Sequence, residues 1–175
     1  MIANESQFRK PHVRMRALGV SYERGSSRQQ ISGGIASPVE YRIPKGTHLY
    51  RFGQNGVPEL VAMGEWWIDG DTLREIDTYA RAHGISTREG IRQTCYVPAE
   101  WSALDIVVHA RTVSELLAYR GRGGVVSVKN KIGQTTTHMA AQGDHRVQQL
   151  YIPGFASGDV RRDALGYIGF SFLPR

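Results

Sequence analysis

Gly46-Thr-His-Leu-Tyr-Arg-Phe-Gly53, followed by Gly64-Glu-Trp-Trp-Ile-Asp69, decides how this chain is read. From Thr47 to Phe52 the residues alternate with the period of a strand. His48, Tyr50 and Phe52 then share one face, and Leu49 and Arg51 the other. A second short strand carries two adjacent tryptophans. Successive strand residues face opposite ways, so Trp66 and Trp67 cannot both turn toward the same ligand. The two segments set a cation at the end of one strand and a large aromatic surface on the next, a combination that suits an anionic, aromatic ligand.

Upstream, Val39-Glu-Tyr-Arg-Ile43 also alternates and stops at the turn signal Pro44-Lys-Gly46. Downstream, Asp71 is predicted to cap a helix that ends at Gly84, with Leu73, Ile76 and Ala80 as its buried stripe. Beyond it the pattern predicts strands at 93–97, 105–110, 125–128, 147–152 and 167–173. Short turns or helices are expected at 98–103 and 113–120, and a polar loop at 129–144. Strands outnumber helices and follow no regular βαβ rhythm. The expected fold class is α+β, with mostly antiparallel strands and few helices.

A length of 175 residues suits one domain, given a prior of about 150 residues each. The 41% hydrophobic content can fill a core, and nothing approaches the ~18 continuous apolar residues of a membrane span. The N-terminus lacks the apolar run of a secretory signal, so a soluble, non-membrane protein is expected. Cys95 is the single cysteine, which rules out an intrachain disulfide and a cysteine zinc cluster; its strand-like setting reads as a buried, inert thiol.

The net charge is +6, and arginines outnumber lysines 18 to 4, which favours planar, bidentate contacts. Residues 1–45 hold +5 of the excess. Residues 1–38, rich in Arg, Ser, Gln and Gly, read as a basic, partly extended arm, either simply solvated or docking on nucleic acid or an acidic partner. Tyr119-Arg-Gly-Arg-Gly-Gly124 lacks phosphate-loop spacing and reads as a tight turn. The six histidines show no ligand spacing, so no metal site is expected around His138, Asp144 and His145, and His109 reads as a core residue. Ser114 and Ser127 belong to no hydrolase triad.

Three of these segments carry a family resemblance. Leu49-Tyr-Arg51 is similar to the first nicotinamide-binding strand of mono-ADP-ribosyltransferases of the bacterial toxin and effector type. Gly64–Asp69, with the following helix that contains Tyr79, resembles their second motif, where an aromatic ring stacks on nicotinamide. Val147-Gln-Gln-Leu-Tyr-Ile-Pro153 resembles their late strand, Glu-x-x-x-Pro in outline. The three occur in the expected order within residues 47–155.

The resemblance implies an ADP-ribosyltransferase-like split sheet and a single catalytic domain over residues 39–175. NAD is then the substrate, and ADP-ribose passes to a macromolecular acceptor, protein or nucleic acid. It implies a cytoplasmic protein, or one delivered into a target cell, with a neutralising immunity protein or antitoxin as partner. Catalytic roles fall on Arg51 and Gln149; Arg51, Tyr50, Trp66, Trp67 and Tyr79 line the dinucleotide site.

Gln149 departs from the pattern, because the family places a glutamate there to favour an oxocarbenium-like transition state. An amide keeps the hydrogen bonds and loses the negative charge. Three explanations stay open: a weakly active member, an inactive form in which glutamine replaced glutamate, or a carboxylate supplied by Asp144 or Glu65. The isosteric replacement is the preferred one. Gly64-Glu-Trp-Trp-Ile-Asp-Gly70 is also similar to the Gly-Arg-Trp-Asn-x-x-Gly element of RES-type NAD-degrading toxins, departing at Glu65 and Trp67. That alternative keeps NAD as substrate and makes the protein a glycohydrolase or phosphorylase. A third reading is a non-enzymatic, basic nucleic-acid-binding module with Tyr50, Trp66 and Trp101 as stacking platforms.

Overall fold

A computed structural model of the chain describes residues 1–22, 29–54, 56–130, 132–139 and 145–174. Along them run α1 (Glu5–Phe8), α2 (Val13–Ala17), β1 (Val20–Tyr22), β2 (Gln29–Ile31), β3 (Val39–Ile43), β4 (His48–Gly53), α3 (Pro58–Ala62), β5 (Trp66–Asp69) and α4 (Gly70–Ala82). There follow α5 (Thr87–Thr94), β6 (Ile106–Thr112), β7 (Leu116–Gly121), β8 (Val126–Lys129), β9 (Thr135–Met139), β10 (Gln149–Tyr151), α6 (Gly158–Ala164) and β11 (Leu165–Phe172). Seven strands form an antiparallel sheet in the order β11-β6-β4-β5-β10-β7-β3, so the fold is α+β. Among the described residues no helix is long and apolar enough to cross a membrane.

The short strand β5 splits this sheet. Its Ile68 and Asp69 pair with Tyr50 and Leu49 of β4, whereas its Trp66 and Trp67 pair with Tyr151 and Leu150 of β10. Past Tyr50, β4 runs on beside β6 alone, with Arg51 opposite Val108 and Phe52 opposite Val107. The backbone where β4 and β5 part needs other partners, because buried amides and carbonyls left unpaired are costly.

One face of the sheet buries Leu49, Trp67, Val108, Ala118 and Leu150 against Ala62, Phe155, Val160 and Ala164. The opposite face has two separate covers. Ile68 lies with Ile76 of α4 and Ile91 of α5, while Leu117, Tyr119 and Tyr151 lie beneath Phe8, Val13 and Ala17. Between the two covers the second face opens over β5 and β10.

The N-terminal segment corrects the expectation of an extended arm. Its described residues form two short helices and the β1–β2 pair, because Phe8, Val13, Ala17 and Ile35 supply enough apolar surface to dock. Asn4, fully buried, fixes the start by donating to the Leu117 and Pro153 carbonyls and accepting from the Leu117 amide. Glu23, Arg24 and Arg28 of that segment lie outside the described residues.

Other expectations change as well. The predicted strand at 93–97 is instead the end of α5 and the turn after it, and the start of α5 is capped by Ser86 accepting from the Glu89 amide. Gly90 permits its close approach to α4, since an added methyl would sit 3.0 Å from the Ala80 methyl. The turn or helix expected at 113–120 is largely β7; a strand buried on both faces shows a continuous apolar run rather than alternation. Helix α4 is capped by Asp69, not Asp71: Asp69 accepts from the Thr72 amide at 2.8 Å, and Asp71 pairs with Arg74. Gly84, with φ of +63°, makes the expected left-handed stop. Part of the expected loop at 129–144 is β9, paired with β8. Helices α3 and α6 were not expected.

Candidate functional site

The opening between the two covers is a cavity of about 630 Å³, within the range of about 300–1,000 Å³ usual for ligand pockets. Tyr50, Trp66, Gln149 and Tyr151 of the sheet line it, with Cys95, Tyr96 and Trp101 after α5 on one side. Arg16, Gly19 and Gly33 of the N-terminal segment lie on the other. Two non-glycine residues with positive φ, Tyr96 at 53° and Leu104 at 51°, both line it. Such conformations cost on the order of 1–3 kcal/mol each and cluster where function holds them.

Of the expected site residues, Arg51, Tyr50, Trp66, Trp67 and Gln149 line this one cavity, although they come from three strands. Tyr79 does not. It sits on α4, its hydroxyl donates to Gln93 at 3.0 Å, and its ring lies against His83. The roughly 3.6-residue period of the helix turns it away from the opening toward Gln93 of α5.

Arg51 serves the split in the sheet. Its Nε donates to the Val61 carbonyl at 2.7 Å and its Nη1 to the Trp66 carbonyl at 2.6 Å, so it pairs a carbonyl just before the place where the strands part. Burial pulls its pKa down, and the nearby Glu65 carboxylate opposes that shift. A methyl added at Gly64 would collide with the same guanidinium, so this glycine provides its berth. The expected phosphate fork is largely occupied by backbone.

The tryptophans divide as their alternation requires. Trp67 is 2% exposed, meets Phe155 edge-on at 5.6 Å and donates its indole N–H to the Gly64 carbonyl. It is a core residue with one side on the cavity wall. Trp66 is half-buried, its ring tilted against Tyr151 at 5.0 Å, and it offers the aromatic surface. Tyr50 stacks on His109 at 4.7 Å, and His109 meets His48 through ring nitrogens 2.7 Å apart. Burial, then the neighbouring His48, lowers the pKa of His109, which is half-buried beside the site rather than deep in the core.

Gln149 donates from Nε2 to the Cys95 carbonyl at 3.0 Å. Only the amide nitrogen can donate to a carbonyl, which fixes the side chain's orientation and leaves its oxygen as the acceptor for a ligand. A glutamate here would set oxygen against oxygen, at a cost of about 1–3 kcal/mol for the lost and unsatisfied bond. The Cys95 carbonyl thus gives glutamine a partner at this position.

Glu65 supplies a carboxylate in the same cavity. It accepts from the Tyr151 hydroxyl at 2.6 Å and the Gly154 amide at 3.0 Å, and Arg16 stands 3.8 Å away. Burial raises the Tyr151 pKa, and the bond to Glu65 raises it further, so the phenol stays protonated and keeps donating. Asp144, the other carboxylate considered, lies outside the described residues. Arg16 and Tyr96 escaped the sequence reading because no local pattern joins them to the tryptophan strand.

Cys95 is buried, and burial pushes its thiol from 9.0 up to about 12. The folded protein is expected to resist a thiol reagent at pH 8 and to react fully once denatured, which a colorimetric thiol assay reads. Its contribution to stability is present below 9.0 and falls as pH rises toward about 12, because only the unfolded chain releases the proton in that window. Among the described residues no three of His, Cys, Asp and Glu come together as metal ligands.

The geometry defines an α+β protein with an aromatic, partly charged cleft over a split antiparallel sheet. No protein-family model, curated protein or solved structure matches the chain.

Proposed function

We propose that this cleft cleaves the nicotinamide–ribose bond of NAD and transfers ADP-ribose to a macromolecular acceptor. The supporting observation is that Arg51, Trp66 and Gln149, the positions carrying the three-part resemblance, line one cavity of ligand size. Trp66 and Tyr50 offer ring faces for nicotinamide, and the Gln149 oxygen accepts from a ribose hydroxyl. Arg51 is a positioning residue that holds the split open. Glu65 takes the electrostatic role that the resemblance gives to a glutamate at 149.

In the reaction the C–N bond breaks and its electron pair leaves with nicotinamide, neutralising the pyridinium. Positive charge develops on the ribose, where a fixed carboxylate stabilises it more than it stabilises the ground state. A nucleophile on the acceptor then forms the new bond to the sugar and releases its proton to solvent. Water as acceptor gives free ADP-ribose, the glycohydrolase outcome of the same site. A toxin or effector setting, with a neutralising partner, belongs to this proposal through the resemblance.

Nicotinamide release from NAD, followed by chromatography, tests the reading. Glu65→Gln is expected to slow release by about 100-fold, the scale of losing one preorganised electrostatic group. Gln149→Glu is expected to bring no gain. A rise in rate with Gln149→Glu, with Glu65→Gln unchanged, would return the carboxylate role to position 149. Salt-dependent RNA binding without any release of nicotinamide would favour the nucleic-acid-binding module.

A further inference from the structure

We infer that Arg16, brought to the cavity by the N-terminal helix α2, is the cation that binds the diphosphate of the dinucleotide. This rests on the proposed NAD reading and names the residue that grips the ligand's charged centre. Among the described residues that line the cavity, formal charge sits on Arg16, Arg51 and Glu65. A diphosphate needs a guanidinium, and Arg51 gives two of its donors to the Val61 and Trp66 carbonyls. Releasing it would take that donor from the Trp66 carbonyl and leave the Val61 carbonyl to the Gly64 amide alone. Among the described contacts Arg16 holds no backbone carbonyl; its partners there are the Glu65 carboxylate and the Tyr151 hydroxyl.

Its side chain is 59% exposed, and its ion pair with Glu65 is loose at 3.8 Å. A pair this long, with its cation mostly exposed, contributes little, so the guanidinium exchanges partners at small cost. Glu65 does not depend on it, since the Tyr151 hydroxyl and the Gly154 amide hold the carboxylate in place.

The backbone beneath Arg16 is fixed while its end is exposed. Val13 and Ala17, on the same helix, are 2% and 0% exposed against the sheet. The Ala17 carbonyl accepts from Ile35, and Gly19, at φ of +74°, packs so closely on Gly33 that a methyl there would lie 2.6 Å from the Gly33 carbonyl oxygen. A long, charged side chain on a bolted helix at the mouth of a cleft can close on an anion without moving the fold. Drawing Arg16 onto the diphosphate also removes one of the two cations near Glu65, Arg51 being the other, so more of its negative potential acts on the ribose. Ligand binding and the electrostatic step are coupled through one side chain.

Calorimetric titration of wild-type protein, Arg16→Ala and Arg16→Lys with NAD and with nicotinamide riboside, which has no phosphate, tests this. Arg16→Ala is expected to weaken NAD binding by on the order of tenfold to a hundredfold, with riboside binding unchanged and the thermal transition in place. Arg16→Lys is expected to recover part of the loss, because it keeps the charge and loses the fork. Equal NAD affinity in wild type and Arg16→Ala overturns the role of Arg16 and leaves the NAD reading standing. Equal losses for NAD and riboside also overturn it, since they assign Arg16 to the shape of the wall. Wild-type protein that binds neither ligand overturns both.

Discussion

Arg51→Ala is expected to lower the unfolding free energy by about 3 kcal/mol, because two half-buried carbonyls each lose a donor and a void replaces the guanidinium. For a chain of this length that moves the thermal midpoint down by about 6–12 °C. The Trp66 carbonyl sits where β4 and β5 diverge and the Val61 carbonyl lies on α3, and the Arg51 side chain spans them from Nε and Nη1. Lysine at 51 is expected to recover less than half of the loss, since one ammonium lacks the fork that reaches both. A guanidinium serving only the ligand would behave otherwise: its removal would weaken binding and leave the midpoint unchanged. Urea or thermal denaturation of Arg51→Ala and Arg51→Lys distinguishes the two, and an unchanged midpoint would contradict the positioning role.

The adjacent tryptophans give the second contrast. Trp67→Ala removes a ring that is 2% exposed and packed on Phe155, together with the donor to the Gly64 carbonyl, and is expected to cost about 3–5 kcal/mol. Trp66→Ala removes a half-buried ring tilted on Tyr151 and is expected to cost about 1 kcal/mol of stability. For the ligand the order reverses. Loss of the Trp66 face is expected to weaken NAD binding by roughly tenfold to a hundredfold, the scale of one stacked base. Denaturation and ligand titration of both variants measure the two effects, and equal destabilisation by the two substitutions would contradict the division of the pair.

The strands of this site were legible where burial is one-sided. Alternation from His48 to Phe52 gave both the strand and its facing, and it separated the roles of Trp66 and Trp67. Legibility failed where local pattern and tertiary setting disagree. Leu116–Gly121 is buried on both faces and shows no period to read. Thr87–Thr94 contains so few apolar residues that its buried face, Gly90, Ile91 and Thr94, hardly registers as a stripe. The N-terminal segment looks disordered by composition, yet four well-spaced apolar residues dock it and set Arg16 at the cavity. Arg51 was legible as a cation at a strand end, but its bonds to the Val61 and Trp66 carbonyls were not, because they form only in the folded chain. Glu65 was visible as an alternative carboxylate, but its bonds to Tyr151 and Gly154 join residues far apart in sequence.

The central claim is that one cleft, floored by β5 and β10, binds a nicotinamide dinucleotide against Trp66. Isothermal titration of NAD into the wild-type protein and into Trp66→Ala tests it most directly. The account predicts saturable binding by the wild type and a loss of roughly tenfold or more in the variant, with the fold intact by circular dichroism. Absence of saturable binding to the wild type, or equal affinity in the two proteins, would contradict it.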